Sequence, residues 1–397
     1  MSLIHLDDSD RRLVAEIREF LDTAWPVERQ FQALPEQHHN QEHISFEWER
    51  SWWKELASRG WLGLGIPKQY GGSGGTALQR QLFTDTISYY GAPFPRTATT
   101  TVAPAMLHYA SEMLKSKYLP LIAAGEANFC LGYTEPGAGT DLASLRTSAV
   151  RDGDHYVITG QKIYTTRAHR SRYCWLAART NTEGRRHDGI SLFVLDMNAP
   201  GVELGPIYTV EGGRTNTTYL DGVRIPADHL VGEENKGWSY LGGALGLERI
   251  GNFPVGHIRR FLAELVELSQ LPRPDGVIPF DNPSVRRELA THQSDLRGLE
   301  TLIEGAITEA VETGDVSSSA AAQIKVLLTE LKQRMSITGM DMLGPYGHLR
   351  KGSDLAPHEG IMEQMWRDSL VHTFGAGANE VQRDIIATAG LGLPRSR

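Results

Sequence analysis

The stretch that decides the fold is Cys130-Leu-Gly-Tyr-Thr-Glu-Pro-Gly-Ala-Gly-Thr-Asp141, followed later by Gly160-Gln-Lys-Ile-Tyr-Thr-Thr166. The first segment offers threonine hydroxyls at Thr134 and Thr140, and the glycines around them leave backbone amides unhindered. Because glycine permits close backbone approach, such a loop can surround a polar, anionic ligand. The same residues also suit a Gly/Pro turn between two strands, and the spacing by itself favours that turn.

Helical periodicity surrounds this β-rich middle. Apolar residues recur with helical spacing from residue 7 to about 124 and again from 238 to 390. In between, the period is two, and the pattern predicts strands at 155–158, 163–166 (after a turn at 160–161), 173–178, 190–195 and 217–225. Five short strands within ~100 residues indicate a small sandwich or barrel, and the later helices indicate an antiparallel bundle.

We therefore expect an α+β multidomain protein in three parts. Residues 1–126 are predicted to form an N-terminal helical domain, residues 127–236 a middle β-barrel or sandwich domain, and residues 237–397 a C-terminal four-helix bundle. The total of 397 residues provides enough chain for two or three cores.

Composition limits the function classes. The chain carries 48 Asp+Glu against 40 Lys+Arg, a net charge of −8, which argues against a general nucleic-acid binder. No apolar run approaches the ~18 residues of a membrane span, and mean hydropathy is −0.32. The N-terminus lacks the order of a signal peptide. The two cysteines cannot form a disulfide framework, so we expect a cytoplasmic enzyme with no nucleic-acid or membrane partner.

Three further patterns favour ordinary structure over chemistry. Gly71-Gly-Ser-Gly-Gly75 matches G-x-S-x-G, but two glycines and Pro67 precede it where a nucleophile elbow needs a strand, which favours a flexible turn. His38, His39 and His43 are interpreted as a surface cluster, and no metal site is expected. Neither a G-x-G-x-x-G nor a P-loop pattern occurs, so a nucleotide site would be atypical.

Taken together, the two quoted segments resemble the paired flavin-binding signature of the acyl-CoA dehydrogenase family. The resemblance runs in family order over nearly the whole chain and includes the segments 61–72, 221–226, 231–233 and 379–383. The helical, β and helical textures match the domains of that family. The resemblance implies FAD as cofactor, extended between the β domain and the C-terminal bundle.

The resemblance also implies a role for individual residues. Thr134 corresponds to the residue at the flavin pyrimidine edge, Thr140 to the hydroxyl on the pyrophosphate, and Thr166 to a hydroxyl near flavin N5. Tyr164 takes the place of a tryptophan that packs on the isoalloxazine ring. The full expected cofactor set is Leu131, Tyr133, Thr134, Gly139, Thr140, Tyr164, Thr166, Arg273 and Glu380.

The catalytic base is where this chain departs from many members. Their late glutamate is replaced by Ala376, whereas the segment Leu247-Glu-Arg249 resembles members with the base on the first long helix of the bundle. Glu248 is therefore the expected base, although a Glu-Arg pair on a helix is by itself more typical of a solvated face. Neighbouring apolar residues would raise its pKa and strengthen it. Arg249 is expected to contact CoA, and the N–H of Gly377 to polarise the thioester carbonyl.

The implied activity is α,β-desaturation of an acyl-CoA thioester, with an electron-transferring flavoprotein as electron acceptor. Two alternatives stay open: a flavin oxidase or monooxygenase on the same fold, and a non-catalytic subunit of a heteromeric enzyme. Met340 and a shortened loop at Arg273 replace groups that complete a neighbour's FAD site, so we expect either a homotetramer or a heterotetramer with a related subunit. Leu343-Gly-Pro-Tyr-Gly347 resembles actinobacterial steroid side-chain enzymes, but acyl specificity is not fixed by the sequence.

Overall fold

The computed structural model describes residues 6–25, 45–241, 254–313 and 316–394. These residues belong to two compact units. The first unit takes its described residues from Met1–Gln37, Gln81–Pro93 and Asn252–Arg397, and the second from His38–Arg80 and Phe94–Gly251. Each unit has an interior of its own.

The N-terminal part contains five α-helices among the described residues: α1 Asp8–Ala24, α2 Phe46–Ser58, α3 Ala77–Tyr89, α4 Ala103–Tyr109 and α5 Glu112–Ala123. Helix α1 begins at a capping box, in which the Asp7 side chain accepts from the N–H of Asp10 and the Asp10 side chain accepts in return. Helix α4 continues directly from a π-helical turn, Thr97–Val102. The predicted N-terminal helical texture is confirmed in these ranges.

The middle part forms one hydrogen-bonded sheet of eight strands. They are β1 Phe129–Gly132, β2 Ser148–Asp152, β3 His155–Lys162, β4 Tyr173–Arg179, β5 Ile190–Asp196, β6 Val202–Tyr208, β7 Arg214–Pro226 and β8 Leu230–Val231. The order is β6-β7-β3-β2-β4-β5-β8, and β1 pairs in parallel with β4.

Both faces of the central strands are buried. Along β4, Trp175 and Ala177 pack with the helical residues, whereas Leu176 and Ala178 join a second core. That second core is built from residues of β1 to β5 and β7 with their connections. Because one sheet supplies both sides of this core, the sheet curls over itself, in agreement with the predicted barrel or sandwich class.

Two local predictions were wrong. Gly160-Gln161 is not a turn, because β3 continues through it and pairs with β7 up to Lys162, with a bulge between Ile158 and Gly160. A side chain at Gly160 would place its Cβ 2.7 Å from the Thr147 Cα, so glycine is needed for close packing. Residues 163–166 are not a strand but an irregular segment leading into a turn.

The described C-terminal part is helical, as expected. It contains α6 Val255–Ser269, α7 Pro283–Thr313, α8 Ser318–Leu343, α9 Ile361–His372 and α10 Asn379–Ile385. Buried ion pairs join these helices: Lys332 of α8 pairs with Asp368 of α9, and both are fully buried. Arg259 of α6 bridges Asp85 and Glu300. None of the described helices is long and apolar enough to cross a membrane.

The G-x-S-x-G segment is a turn, as the sequence favours. Ser73 is exposed, and its hydroxyl donates to the carbonyl of Gly60 at 2.5 Å. A Cβ at Gly72 would lie 2.0 Å from the carbonyl oxygen of Ile66, so the glycine here serves close packing of backbone. The segment before it consists of short 3₁₀ turns rather than a strand, so the nucleophile elbow is excluded.

Candidate active site

The expected flavin loop leaves the sheet at the end of β1. Glu135 and Ala138 exchange backbone hydrogen bonds of 3.1 and 3.0 Å, which closes a tight turn over Pro136 and Gly137. A Cβ added at Gly137 or at Gly139 would meet no described atom within 4 Å, so this face of the loop is open. The geometry leaves room for a ligand beside unhindered backbone amides.

A buried ion pair fixes this loop. Lys162, at the end of β3, donates from Nζ to Glu135 Oε1 at 2.7 Å and to the carbonyl of Tyr133 at 3.0 Å. The Glu135 carboxylate also accepts from the N–H groups of Arg146 and Thr147, at 2.6 and 2.8 Å. Burial alone would raise the pKa of Glu135, but the charge of Lys162 and these hydrogen bonds hold it below its usual value.

The two quoted segments are brought together at Thr134. The N–H of Ile163 donates to the carbonyl of Thr134 at 2.9 Å, which places the residues after β3 beside the loop after β1. Tyr164 has a left-handed backbone (φ +56°) and a side chain that is 61% exposed. The Thr166 hydroxyl lies 3.4 Å from that of Thr215. Thr134 is half-buried and Thr140 is exposed.

Other expected residues lie around these segments or in the C-terminal part. Leu131 lies within β1, opposite Trp175, and the half-buried Tyr133 follows the strand. Glu380 is exposed in the first turn of α10. Arg273 donates to Asp275 of its own loop at 3.1 and 2.6 Å and to the carbonyl of Met342 in α8 at 3.5 Å.

The loop that carries Gly377 is closed by hydrogen bonds. The carbonyl of Thr373 accepts from the N–H of Asn379 at 2.8 Å and from Lys325 Nζ at 3.1 Å. Lys325 also donates to Asn379 Oδ1 at 2.6 Å. Within the loop, Ala376 (φ +53°) and Gly377 (φ +94°) both have left-handed backbone. Ala376 presents only a methyl group at the position where the resemblance would place the base of many family members.

Several expectations lie outside the described residues. These are Glu248 and Arg249, together with the histidines at 38, 39 and 43. In the described part of the chain, no group of three or more His, Cys, Asp or Glu side chains is arranged to hold a metal ion.

The sequence reasoning missed the charged groups that support the loops. Glu135 and Lys162 stand inside the quoted motifs, next to the glycines and hydroxyls from which the site was predicted. A charged residue at a predicted strand end, next to a glycine loop, is the signal that would have found them. Glu49, whose carboxylate pairs with Arg167, lies 118 residues before that arginine in the sequence, and no local pattern around it indicates the pairing.

The residues present suit an extended flavin dinucleotide. The loop combines hydroxyls, open backbone amides and a rigid charged support, and an exposed tyrosine ring lies on the adjoining segment. Amides in such a concavity favour phosphate oxygens, and an aromatic face suits a planar ring.

Comparison with known proteins gives the class. Family models for the acyl-CoA dehydrogenase N-terminal, middle and C-terminal domains match residues 7–126, 130–223 and 235–391. The chain belongs to the acyl-CoA dehydrogenase family. It is an FAD-dependent oxidoreductase that desaturates acyl-CoA thioesters.

Similar proteins include two from Mycobacterium tuberculosis. Acyl-CoA dehydrogenase FadE29 is 38% identical over 99% of each chain. Acyl-CoA dehydrogenase FadE26 is 40% identical over 86% of this chain and 87% of that protein. Among solved structures, the Tcur3481-Tcur3483 steroid ACAD matches with a TM-score of 0.88 and 38% identity, with full coverage of both chains. The ChsE4-ChsE5 complex from M. tuberculosis matches with a TM-score of 0.86 and 37% identity, again with full coverage.

Proposed function

We propose that Glu248 is the base of this dehydrogenase and that its substrate is a CoA thioester with a bulky, ring-bearing acyl group. The observation that carries the base assignment is the Gly377 loop. Its base position holds Ala376, which has no titratable group. Removal of an α-proton needs a base within reach of the substrate. Leu247-Glu-Arg249 is the segment that resembles the family's other solution.

The chain's own residues divide the work. Glu248 removes the α-proton, and the N–H of Gly377 donates to the thioester carbonyl, which makes that proton more acidic. Thr134, Thr140, Tyr164 and Thr166 hold and orient the cofactor. FAD, when bound, supplies the hydride acceptor and therefore the redox chemistry.

The substrate class is supported by the relatives. The Tcur3481-Tcur3483 protein is named a steroid ACAD, and its match to this chain covers the full length of both. A panel of acyl-CoA substrates tests the proposal: a steroid side-chain thioester should give a higher kcat/KM than straight-chain thioesters of comparable carbon number. A higher kcat/KM for the straight-chain thioesters would refute the proposed substrate class and leave the assignment of Glu248 as base unaffected.

We also propose that the chain assembles as a heterotetramer with a related, non-identical subunit and passes electrons to an electron-transferring flavoprotein. Met340 is 8% exposed and has no hydrogen-bond donor, and Arg273 is engaged by Asp275. Both residues are therefore poorly suited to complete a neighbour's FAD site. The chain expressed alone should bind less than one FAD per chain. A stable, fully active homotetramer with one FAD per chain would refute the heteromer.

Glu248→Gln is the test of the base. The variant should fold and keep FAD but lose flavin reduction by substrate by about 10²–10⁴-fold, because the amide cannot accept the proton. Glu380→Gln should show a smaller loss, and Glu267→Gln, an exposed change on α6, controls for altered charge. Near wild-type bleaching of the flavin in Glu248→Gln would refute the assignment. Slow reaction of the reduced enzyme with air would exclude the oxidase alternative.

A further inference from the structure

A buried carboxylate on helix α2 holds the turn that follows the flavin segment. Glu49 is 1% exposed, and both of its oxygens accept from Arg167 Nη2, at 2.5 and 2.6 Å. Arg170 Nη1 lies 3.5 Å from Glu49 Oε2. Two guanidinium groups from one short turn therefore converge on a single carboxylate that water hardly reaches. Hydrogen bonds between ionised groups are strong and geometrically specific in such surroundings.

The turn that these arginines belong to has an unusual backbone. Tyr164 and Arg167 both have left-handed conformations, with φ of +56° and +59°. Residues with a Cβ adopt this region at an energetic cost, and they remain there only where surrounding contacts fix them. Two such residues within four positions mean that the segment between them is shaped by outside contacts, because its own backbone preference is different.

Those outside contacts come from two sides. On the sheet side, Asn216 of β7 exchanges hydrogen bonds with Thr165, accepting at its carbonyl at 2.9 Å and donating from Nδ2 at 3.1 Å. On the helix side, the contact is the Glu49 pair with Arg167. Thr166 lies between these two anchors. Its hydroxyl position therefore depends on the Glu49 pair as well as on the sheet.

We propose that Glu49 is a positioning residue of the dehydrogenase, which acts through Arg167 to aim the Tyr164 ring and the Thr166 hydroxyl at the flavin. This inference rests on the proposed roles of Tyr164 and Thr166 at the cofactor. The proposal assigns Glu49 no contact with the substrate or the cofactor, because its carboxylate is buried and engaged by Arg167. Its contribution is to keep the turn in one conformation, so that the groups near the reacting edge of the flavin do not have to be ordered during each turnover.

A purely structural ion pair is the alternative, and the two interpretations predict different measurements. A structural pair would change the melting temperature and nothing else. A positioning pair would also change the absorption spectrum of bound flavin before any substrate is added, because that spectrum responds to the groups around the ring. It would further change the rate constant of flavin reduction at saturating substrate, while the substrate Kd stays the same.

The test uses Glu49→Gln in the full-length, FAD-loaded enzyme, in its native assembly. The matched control is Glu47→Gln, which removes the same charge from an exposed position in the same helical turn. We expect Glu49→Gln to shift the flavin spectrum and to slow flavin reduction about 10- to 100-fold, the loss typical of slightly misplaced groups. Glu47→Gln should match the wild type. Arg167→Lys keeps the charge but replaces the planar guanidinium with a shorter side chain and a differently shaped ammonium, so it should show the same spectral shift in a milder form. It is the test variant if Glu49→Gln does not fold.

The outcomes separate this inference from the assignments beneath it. Suppose that Thr166→Val changes the flavin spectrum and the reduction rate, whereas Glu49→Gln and Arg167→Lys keep the wild-type values. This result would overturn the positioning role of Glu49 and leave the assignment of the flavin segment intact. If Thr166→Val leaves the flavin spectrum and the rate of flavin reduction unchanged, both the positioning role and the assignment of the flavin segment are overturned. The segment around Thr166 would then lie away from the flavin ring. A lowered melting temperature as the sole effect of Glu49→Gln would identify the pair as structural.

Discussion

Lys162→Met is the substitution whose consequences follow most directly from the structure. Lys162 is 1% exposed and Glu135 is 8% exposed, and the change removes the ammonium that joins them. It also removes the donor to the Tyr133 carbonyl at 3.0 Å. Methionine has a similar length and no charge, so the packing changes little and the lost interactions dominate.

The magnitude can be worked from these contacts. Breaking a buried ion pair by removing one partner costs about 3–5 kcal/mol, because the other charge stays buried and uncompensated. Glu135 keeps its two backbone hydrogen bonds, from Arg146 and Thr147, and these reduce the penalty. We therefore expect a loss of about 3 kcal/mol in the free energy of unfolding. Because the Tyr133 carbonyl precedes Thr134, the variant should also retain less FAD.

The pH dependence gives the prediction a sign. In the wild type the pKa of Glu135 is lowered, so its ionised form stabilises the fold above the ordinary pKa of about 4.3, and this contribution disappears as the pH falls. In Lys162→Met the attraction is gone, and burial raises the pKa of Glu135 instead. A protonated Glu135 is then tolerated, so the difference in stability between variant and wild type should shrink from pH 8 towards pH 4.5.

Urea unfolding and FAD content per chain, measured at several pH values, check this reasoning. Lys236→Met, an exposed change of the same kind, is the control. The double variant Glu135→Gln with Lys162→Met should recover part of the loss, since it removes the uncompensated charge. The reasoning is refuted if Lys162→Met unfolds at the wild-type urea concentration with full FAD, or if its deficit grows towards acid pH.

Three further predictions concern separate contacts. Lys332→Met should lower the free energy of unfolding by about 3–5 kcal/mol, because it leaves the fully buried Asp368 without that cation; thermal or urea unfolding measures this. Burial raises the pKa of Glu264 to about 7 despite its pairing with Arg260, so ionisation of Glu264 destabilises the fold as pH rises from about 4.5 through 7. Glu264→Gln should therefore gain stability relative to the wild type across that range, by on the order of 1–3 kcal/mol at pH 8 in urea titrations. Thr166→Val should slow single-turnover flavin reduction and shift the flavin spectrum, since it deletes a hydroxyl at nearly constant volume.

The sequence predicts this fold to the extent that local patterns determine it. Apolar spacing correctly indicates the helical parts, and short, nearly continuous apolar runs correctly indicate β4 and β5, because both faces of these strands are buried. The prediction from sequence patterns failed at Gly160, because a glycine within a strand resembles a turn signal. The glycine is instead required by the approach of Thr147, a contact between strands that no local pattern contains.

The candidate site likewise contains residues that local sequence patterns reveal and residues that they do not. The residues proposed to face the ligand, such as Thr134 and Thr140, are recognisable because glycines and hydroxyls cluster in one short loop. Its supporting residues are recognisable only when they fall in the same motif, as Lys162 does. Glu49 is 118 residues from Arg167, and its burial results from the packing of a helix whose sequence resembles an ordinary amphipathic one.

The two buried charged pairs, Glu135–Lys162 and Glu49–Arg167, occur beside these segments for the same physical reason. The ladder between β3 and β7 ends at Lys162, and the segment that follows keeps a contact with β7 through the hydrogen bonds between Thr165 and Asn216. Backbone groups that leave a ladder must find other partners, and the polar groups buried beside them must be paired. Here the Glu135–Lys162 pair, with the contact of Lys162 to the Tyr133 carbonyl, fixes the residues on both sides of Thr134, and the Glu49–Arg167 pair fixes the turn after Thr166. Charged pairs suit this task because their geometry is specific, whereas apolar packing would let a short irregular segment shift. The residues that we propose to face the flavin are therefore held by neighbouring buried charged pairs, and the proposed arrangement assigns those pairs no contact with the flavin.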